Sequence, residues 1–340
     1  MAILDDIAKE VGVSTVTVRN VLNGRNKESW PSAKQRADEI RRIAASHNYR
    51  PNAAARATAT GRFNNIALVL EAGAPGHLFY GTLEAVRSSL RERAYHLVMG
   101  DMPHEDPGSD TDLPMVLREL SADGLLINCY GKMPPYFMRE IERYQIPAIW
   151  INMKFAKDCV HPDDFAAGRE ATRRLLDLGH RKIAYVDMLA PHHYSALDRL
   201  AGYRAVMREA GLPESVLGAN GITVADWLNF LTGVLSNPNR PTAVLAYEQD
   251  RALTTYCAAL RAGLNMPEDL SLMTFHSGQL QIGSIRIDTM FVPAKELGEV
   301  GVEMLVDKIQ NPSRIFEPRV LPHSYRPGLT CGPVPPGSRR

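Results

Sequence analysis

The chain has 340 residues, 45% of them hydrophobic and 23% charged, with a formal net charge of +1; that length predicts two or three domains of ordinary globular composition. No run of about eighteen apolar residues occurs, which argues against a membrane-spanning helix, and the opening MAILDDIAKE lacks the long apolar core of a secretory leader. Four cysteines, Cys129, Cys159, Cys257 and Cys331, stand far apart with no CxxC pair, as expected of bystander thiols in a reducing, cytoplasmic compartment.

In chain order, residues 1–50 read as all-helical. Leu4, Ile7, Ala8 and Val11 recur at helical spacing. Gly12 ends this first helix and permits a tight turn. Ser14 is placed to cap a second helix by accepting from its first N–H groups, and Val18, Val21 and Leu22 return that helix to the same core. After a polar loop at residues 24–31, a third pattern starts at Ser32, read as its N-cap, and Ala37, Ile40, Ile43 and Ala44 share one face. Trp30 reads as a packing anchor rather than a base-stacking residue. Residues 51–62, PNAAARATATGR, lack large apolar side chains; such a stretch is marginal as a helix in water and is either a partner-dependent helix or a plain linker.

From residue 65 the texture changes. Apolar runs at 66–70, 97–99, 124–128, 149–152, 183–186, 243–246 and 270–275 read as buried strands. Helical patterns at 81–93, 168–178, 201–210 and 252–262 fall between them. The alternation predicts an α/β fold of two doubly wound parallel-sheet lobes with a cleft between them, preceded by a small all-α helix-turn-helix domain. Expected boundaries are 1–50 for the head, 51–62 for the hinge or linker, 63–330 for the two lobes and 331–340 for a flexible tail. No GxGxxG or GxxxxGK[ST] follows the first strand, so no nucleotide cofactor is expected.

Charge is uneven. Residues 1–62 hold 11 Lys and Arg against 6 Asp and Glu, and the remainder holds 28 against 32. A basic head on an acidic body points to a polyanionic partner. The face of the second helix opposite its core side presents Thr15, Val16, Arg19 and Asn20. Such side chains suit a major groove, where Asn can bridge adenine and Val can touch a thymine methyl. A second helix entering the groove N-terminus first is the helix-turn-helix arrangement, with Thr17 and the helix amides at phosphate.

IAKEVGVSTVTVRNVLNG, then YRPNAAARATATGR and IALVL, resemble the lactose-repressor (LacI) family of bacterial transcription regulators. DLGHRKIAYV, RLAGYRAVM, PTAVLAYEQDRAL and MPEDLSLMTF resemble, in order, that family's sugar-binding-protein-like core. The resemblance implies a homodimer on a palindromic operator and a hinge helix at 52–60 that folds on DNA in the minor groove, beside an inserted apolar wedge. It places Ser14, Thr15, Val16, Thr17, Arg19, Asn20, Asn23, Arg50, Asn52, Ala55, Arg56 and Thr58 at the DNA, with Arg62 a further phosphate contact. This chain departs from the pattern at four places. Arg19-Asn20 stands where relatives have Ser-Arg, and the 24–31 loop is longer. Ile3 replaces the Thr that caps the first helix, at a cost of about 1 kcal/mol. Thr58 occupies the wedge position, so the kink is expected to be shallower or made by another residue.

The same resemblance implies a small-molecule effector, by default a sugar, between the lobes. The implied contacts are His77, Phe79 and Tyr80 from the first loop, Asn152 after the fourth strand, His193, Ser195 and Arg199 before RLAGY, Glu248, and His276. Gln249 stands at a position where relatives carry Asp, and His276 replaces another Asp. Arg199 reads either as a bidentate ligand clamp or as a salt-bridge partner. Glu248 and Asn152 read as ligand acceptors or as capping residues, and His276 as a donor or a locally satisfied ring. His192, His193 and Asp198 show no third metal ligand at suitable spacing, and no metal is expected. The leading reading is a ligand-responsive DNA-binding repressor with no membrane partner. The alternative is a sugar-binding protein of transport or sensing with the same core. No enzyme motif occurs. The residues after 329 carry no heptads, so a zipper tetramer is not expected.

Overall fold

The computed structural model describes residues 2–22, 30–49, 61–71, 78–102, 121–130, 133, 135–187, 193–218 and 223–335. The chain divides into two compact units, Met1–Asn64 and Asn65–Arg340. Among the described residues no helix is long and apolar enough to cross a membrane.

The first unit holds α1 (Ala2–Val11), α2 (Thr15–Leu22) and α3 (Pro31–Ser46). Ile7 and Ala8 of α1, Val18 and Val21 of α2, and Ala37, Ile40, Ile43 and Ala44 of α3 form its core, flanked by Leu4, Val11, Val13, Leu22 and Tyr49. Three short helices cohere because each lends one apolar stripe to this cluster. Gly12, at φ +72, makes the turn between α1 and α2 that a side chain would strain. His47 and Glu10, 2.8 Å apart, tie the end of α3 to α1.

Three local expectations are corrected here. Trp30, not Ser32, is the N-cap residue of α3; Pro31 occupies the first turn and no side chain caps the helix. Pro is preorganised for the first helical position and has no N–H to satisfy, so the helix begins two residues earlier than a Ser32 cap would allow. Trp30 is 74% exposed and anchors no packing among the described residues. Ile3 lies inside α1, so it is not that helix's cap.

The second unit runs β1 (Asn65–Glu71), α4 (Tyr80–Glu92), β2 (His96–Met102), β3 (Gly124–Asn128), α5 (Pro135–Arg143), β4 (Ala148–Ile151), β5 (Cys159–Pro162), α6 (Asp164–Asp177), β6 (Ile183–Val186) and α7 (Tyr194–Glu209). It continues with β7 (Ser215–Leu217), α8 (Val224–Ser236), β8 (Ala243–Ala246), α9 (Gln249–Arg261), β9 (Ser271–His276), β10 (Gln281–Ile282), β11 (Ile285–Arg286), β12 (Asp288–Phe291), α10 (Ala294–Gln310), β13 (Arg319–Leu321) and β14 (Ser324–Arg326). One sheet has the order β2-β1-β3-β4-β5-β13 and is parallel throughout. The other has the order β7-β6-β8-β9-β12-β14, parallel except at β14. Strands buried on both faces read as continuous apolar runs. In β1, Ile66, Leu68 and Leu70 join one core while Ala67 and Val69 join another. In β6, Ile183 and Tyr185 face one core, Ala184 and Val186 the other.

The chain passes between the lobes three times, from β5 to α6, from β12 to α10 and from β13 to β14. Helix α10 therefore completes the first lobe, where Leu297, Val302, Leu305 and Ile309 pack against β1 and β4 residues. The expected flexible tail is corrected for residues 331–335. The Asp288 carboxylate accepts from the N–H groups of Thr330 at 2.9 Å and Cys331 at 3.0 Å. His180 Nε2 donates to the Gly332 carbonyl at 3.1 Å, and Val334 N–H donates to Leu178 at 2.9 Å. Buried charge-assisted and backbone bonds of this kind fix a segment that lacks any apolar run of its own.

Candidate functional site

Two surfaces follow from the sequence. In the first unit, Ser14 Oγ accepts from Thr17 N–H at 3.2 Å and lies 2.9 Å from Thr17 Oγ1, so Ser14 caps the start of α2 with the Thr17 hydroxyl bonded to the cap. Val16 is 57% exposed, Arg19 is exposed, and Thr15 and Asn20 are half-buried outside the core cluster. The apolar Val16 has no packing role in the unit, and the N–H groups of the first turn of α2 have no intrahelical partners. The exposed face thus offers apolar, cationic and amide groups beside a partial positive charge. Arg62 is exposed. Asn23, Arg50, Asn52, Ala55, Arg56 and Thr58, and with them the proposed hinge helix and wedge, lie outside the described residues.

In the second unit a cavity of about 240 Å³ opens between the lobes, at the carboxyl ends of strands, where open α/β sheets place ligands. Phe79, Asn152, His193, Ser195, Arg199, Glu248 and His276 of the implied set line it. Tyr80 does not; it is 76% exposed as the first residue of α4. His77 lies outside the described residues. The cavity also takes Tyr130, Tyr247, Gln249, Asp250, Phe275 and Val292. Tyr247 directly follows β8 and Tyr130 comes two residues after β3, so their positions at strand ends were the available signal. Tyr130 is held there by its N–H, which donates to Glu71 Oε2 at 2.9 Å.

Arg199 forms the floor. It is 5% exposed; its Nε donates to Asp164 Oδ1 at 2.7 Å and its Nη1 to the Tyr247 carbonyl at 2.9 Å. The guanidinium lies 4.6 Å from the Phe275 ring centroid and 5.1 Å from that of Tyr247. Burial works against its charge, but the Asp164 carboxylate together with the Tyr247 and Tyr185 phenols more than offsets this and the net shift is upward. Arg199 is thus an ion-pair partner, as one reading has it, and it also lines the cavity. Its placement depends on the α6–α7 crossing. A Cβ at Gly168 would lie 2.3 Å from the Arg199 carbonyl oxygen, and one at Gly202 2.3 Å from that of Phe165.

The rest of the lining is polar and aromatic. His193 caps α7, accepting from Ser195 N–H. Glu248 precedes α9 without a side-chain capping bond and lies 3.7 Å from Arg251; burial raises its pKa, with Arg251 opposing. Burial lowers the pKa of His276, leaving a neutral ring near neutral pH. Burial also raises the Tyr130 and Tyr247 phenols, keeping both protonated as donors. His193 bonds Ser195 and Asn152, and Asp198 pairs with Lys154 at 2.7 Å. His192 lies outside the described residues, among which no group of three or more metal-ligating side chains converges.

A family model for a periplasmic binding protein-like domain matches residues 172–331. The HTH-type transcriptional repressor PurR of Escherichia coli O139:H28 is 30% identical over 319 residues, 92% of this chain and 91% of its own length. The PurR of Klebsiella pneumoniae strain 342 is 29% identical with the same coverage. Among solved structures, the lac repressor dimer bound to operator and the anti-inducer ONPF matches with a TM-score of 0.76. Its identity is 20%, over 96% of this chain and 98% of that one. Kinship of that depth along almost the whole chain settles what the head and the two lobes compose: this chain belongs to the LacI family of transcriptional regulators.

Proposed function

We propose that this regulator acts in the cytoplasm as a homodimeric repressor on an inverted-repeat operator, with a small molecule in the interlobe cleft setting its affinity for DNA. The observation that carries the reading is the exposed face of α2: Val16, Arg19 and half-buried Thr15 and Asn20 stand clear of the core on a unit with a basic surplus. Two such heads on a two-fold axis match the two halves of a palindrome. We read the cleft as a binding site, not a catalytic one. Aromatic rings at Phe79, Tyr130, Tyr247 and Phe275 beside Asn152, Ser195, Glu248 and His276 suit a compact ligand with an apolar face and a hydroxyl edge, such as a sugar. The complex of the regulator CelR with cellobiose, a fold match with a TM-score of 0.64, holds a ligand of that class. Effector-driven change at the lobes would couple to DNA affinity by about 1–3 kcal/mol.

An electrophoretic mobility shift of the full chain on genomic fragments at low salt tests this. One or a few fragments should shift at concentrations that leave the rest free. Failure to retard any fragment would favour a ligand-binding protein without a DNA target.

A further inference from the structure

A continuous line of hydrogen bonds starts on the first lobe, crosses into the second and returns. Tyr130, after β3, lies 3.5 Å from Tyr247, after β8, hydroxyl to hydroxyl. Tyr247 OH lies 3.0 Å from Ser195 Oγ, which lies 2.7 Å from His193 Nδ1. His193 Nε2 then meets the Asn152 carbonyl, after β4, at 2.8 Å. The donors can be assigned. Ser195 N–H donates to His193 Nδ1 at 3.3 Å, so Nδ1 is the bare nitrogen and Nε2 carries the proton that Asn152 O accepts. Ser195 Oγ–H then donates to Nδ1, leaving its lone pairs for Tyr247 O–H, and Tyr247 in turn accepts from Tyr130. Every donation runs the same way, and bonds aligned in this sense polarise one another. The imidazole is also stacked on the Tyr130 ring, with centroids 5.0 Å apart and planes 12° from parallel. Asn152 presents its carbonyl from a left-handed backbone at φ 56, a conformation Asn tolerates better than most residues.

We propose that His193 is an interlobe latch: a positioning residue that holds the two lobes together through the Asn152 carbonyl, and whose tautomer orients the Ser195, Tyr247 and Tyr130 hydroxyls beside the cavity. Its regulatory meaning rests on the reading of the cleft as the effector site. Opening the lobes breaks the His193–Asn152 bond and the Tyr130 stack together, whereas bonds within either lobe survive. The exposed Lys154–Asp198 pair also spans the lobes but is screened by solvent.

Hydrogen–deuterium exchange on the full chain, free of DNA and effector, tests the latch. In His193→Ala, cleft segments around Asn152 and Tyr247 should exchange about fivefold faster, the factor that loss of one buried neutral hydrogen bond gives. Core strands β1 and β8 should be unchanged. His193→Gln, whose amide N–H can reach the Asn152 carbonyl, should restore slow exchange. Ser195→Ala, which keeps the imidazole, should accelerate the same segments by a smaller factor. Unchanged exchange around Asn152 overturns the latch, as does equal acceleration across both cores or failure of the Gln variant to rescue. None of these outcomes bears on DNA binding, so the repressor reading stands or falls separately.

Discussion

Replacing His323 by Gln should flatten the acid side of the stability profile. The ring sits on the third passage between the lobes, with its side chain 1% exposed and Nε2 3.5 Å from Asp164 Oδ1. Among the described residues neither ring nitrogen has a hydrogen-bond partner. Burial lowers its pKa from 6.5 to about 4; Asp164 and Asp163 oppose the shift and Arg199 reinforces it. A depressed folded-state pKa means that the unfolded chain takes up the proton first as pH falls. The stability is therefore complete above the unfolded value near 6.5 and is lost as pH drops through the folded value near 4. At about 1.4 kcal/mol per pH unit, the full loss is about 3 kcal/mol, of which about 2 kcal/mol falls between about pH 7.5 and about pH 5. Urea unfolding at those two pH values, followed by tryptophan fluorescence, measures it; Trp227 and Trp150 report on the two lobes from buried positions. The variant keeps an acid slope from His180 and His276, whose pKa values burial also lowers. The drop in His323→Gln should be smaller by about 2 kcal/mol. Equal drops in the two proteins would show that His323 is hydrated or partnered in solution, and the reasoning would be wrong.

Three further outcomes follow from the same geometry. Asp164→Asn strands the buried Arg199 guanidinium without a counterion and should cost about 3–5 kcal/mol in chemical denaturation; a loss below about 1 kcal/mol would mean that solvent reaches the pair. Gly202→Ala, forced against the Phe165 carbonyl, should destabilise by at least about 2 kcal/mol, whereas Gly233→Ala in α8, with open space around its Cβ, should stabilise by up to about 1 kcal/mol. Opposite signs in thermal scans check the contrast, and matching signs would sink it. Ser14→Ala removes the α2 cap and should cost the head about 1 kcal/mol, read by helix content of the full chain during early melting; an unchanged profile would show that Thr17 or solvent replaces the cap.

The central strands were legible because physics writes them plainly. Runs at 124–128, 183–186 and 243–246 coincide with β3, β6 and β8, each buried on both faces, so apolarity alone marks them. Three strands gave no such mark: CVHP in β5, although buried between β4 and β13, contains Pro and His, and RVL and SYR in the edge strands β13 and β14 are three residues long and half exposed. The place of α10 in the first lobe was out of reach for a different reason. Chain order puts it with the second lobe, and only long-range packing against β1 and β4 reassigns it.

The site was legible where charge or family position pointed. Arg199, Glu248, His276 and Ser195 line the cavity, yet the phenols of Tyr130 and Tyr247, which join the lobes, carry no charge, and Tyr130 falls in none of the segments that carry the resemblance. Asp164 was invisible too. It looks like one more acidic residue at a helix start, and only its burial beside Arg199 gives it a role. Helix caps misled where propensity met local geometry: Pro31 set the start of α3, and Ser32 became an ordinary first-turn residue.

The claim that α2 reads duplex DNA is tested most directly by selecting bound sequences from a random duplex pool with the full chain and with Asn20→Ala. The wild type should enrich one inverted repeat, and the variant should lose preference at one position in each half while still retaining DNA. Identical enriched sequences from both proteins, or no enrichment by the wild type, would contradict the account.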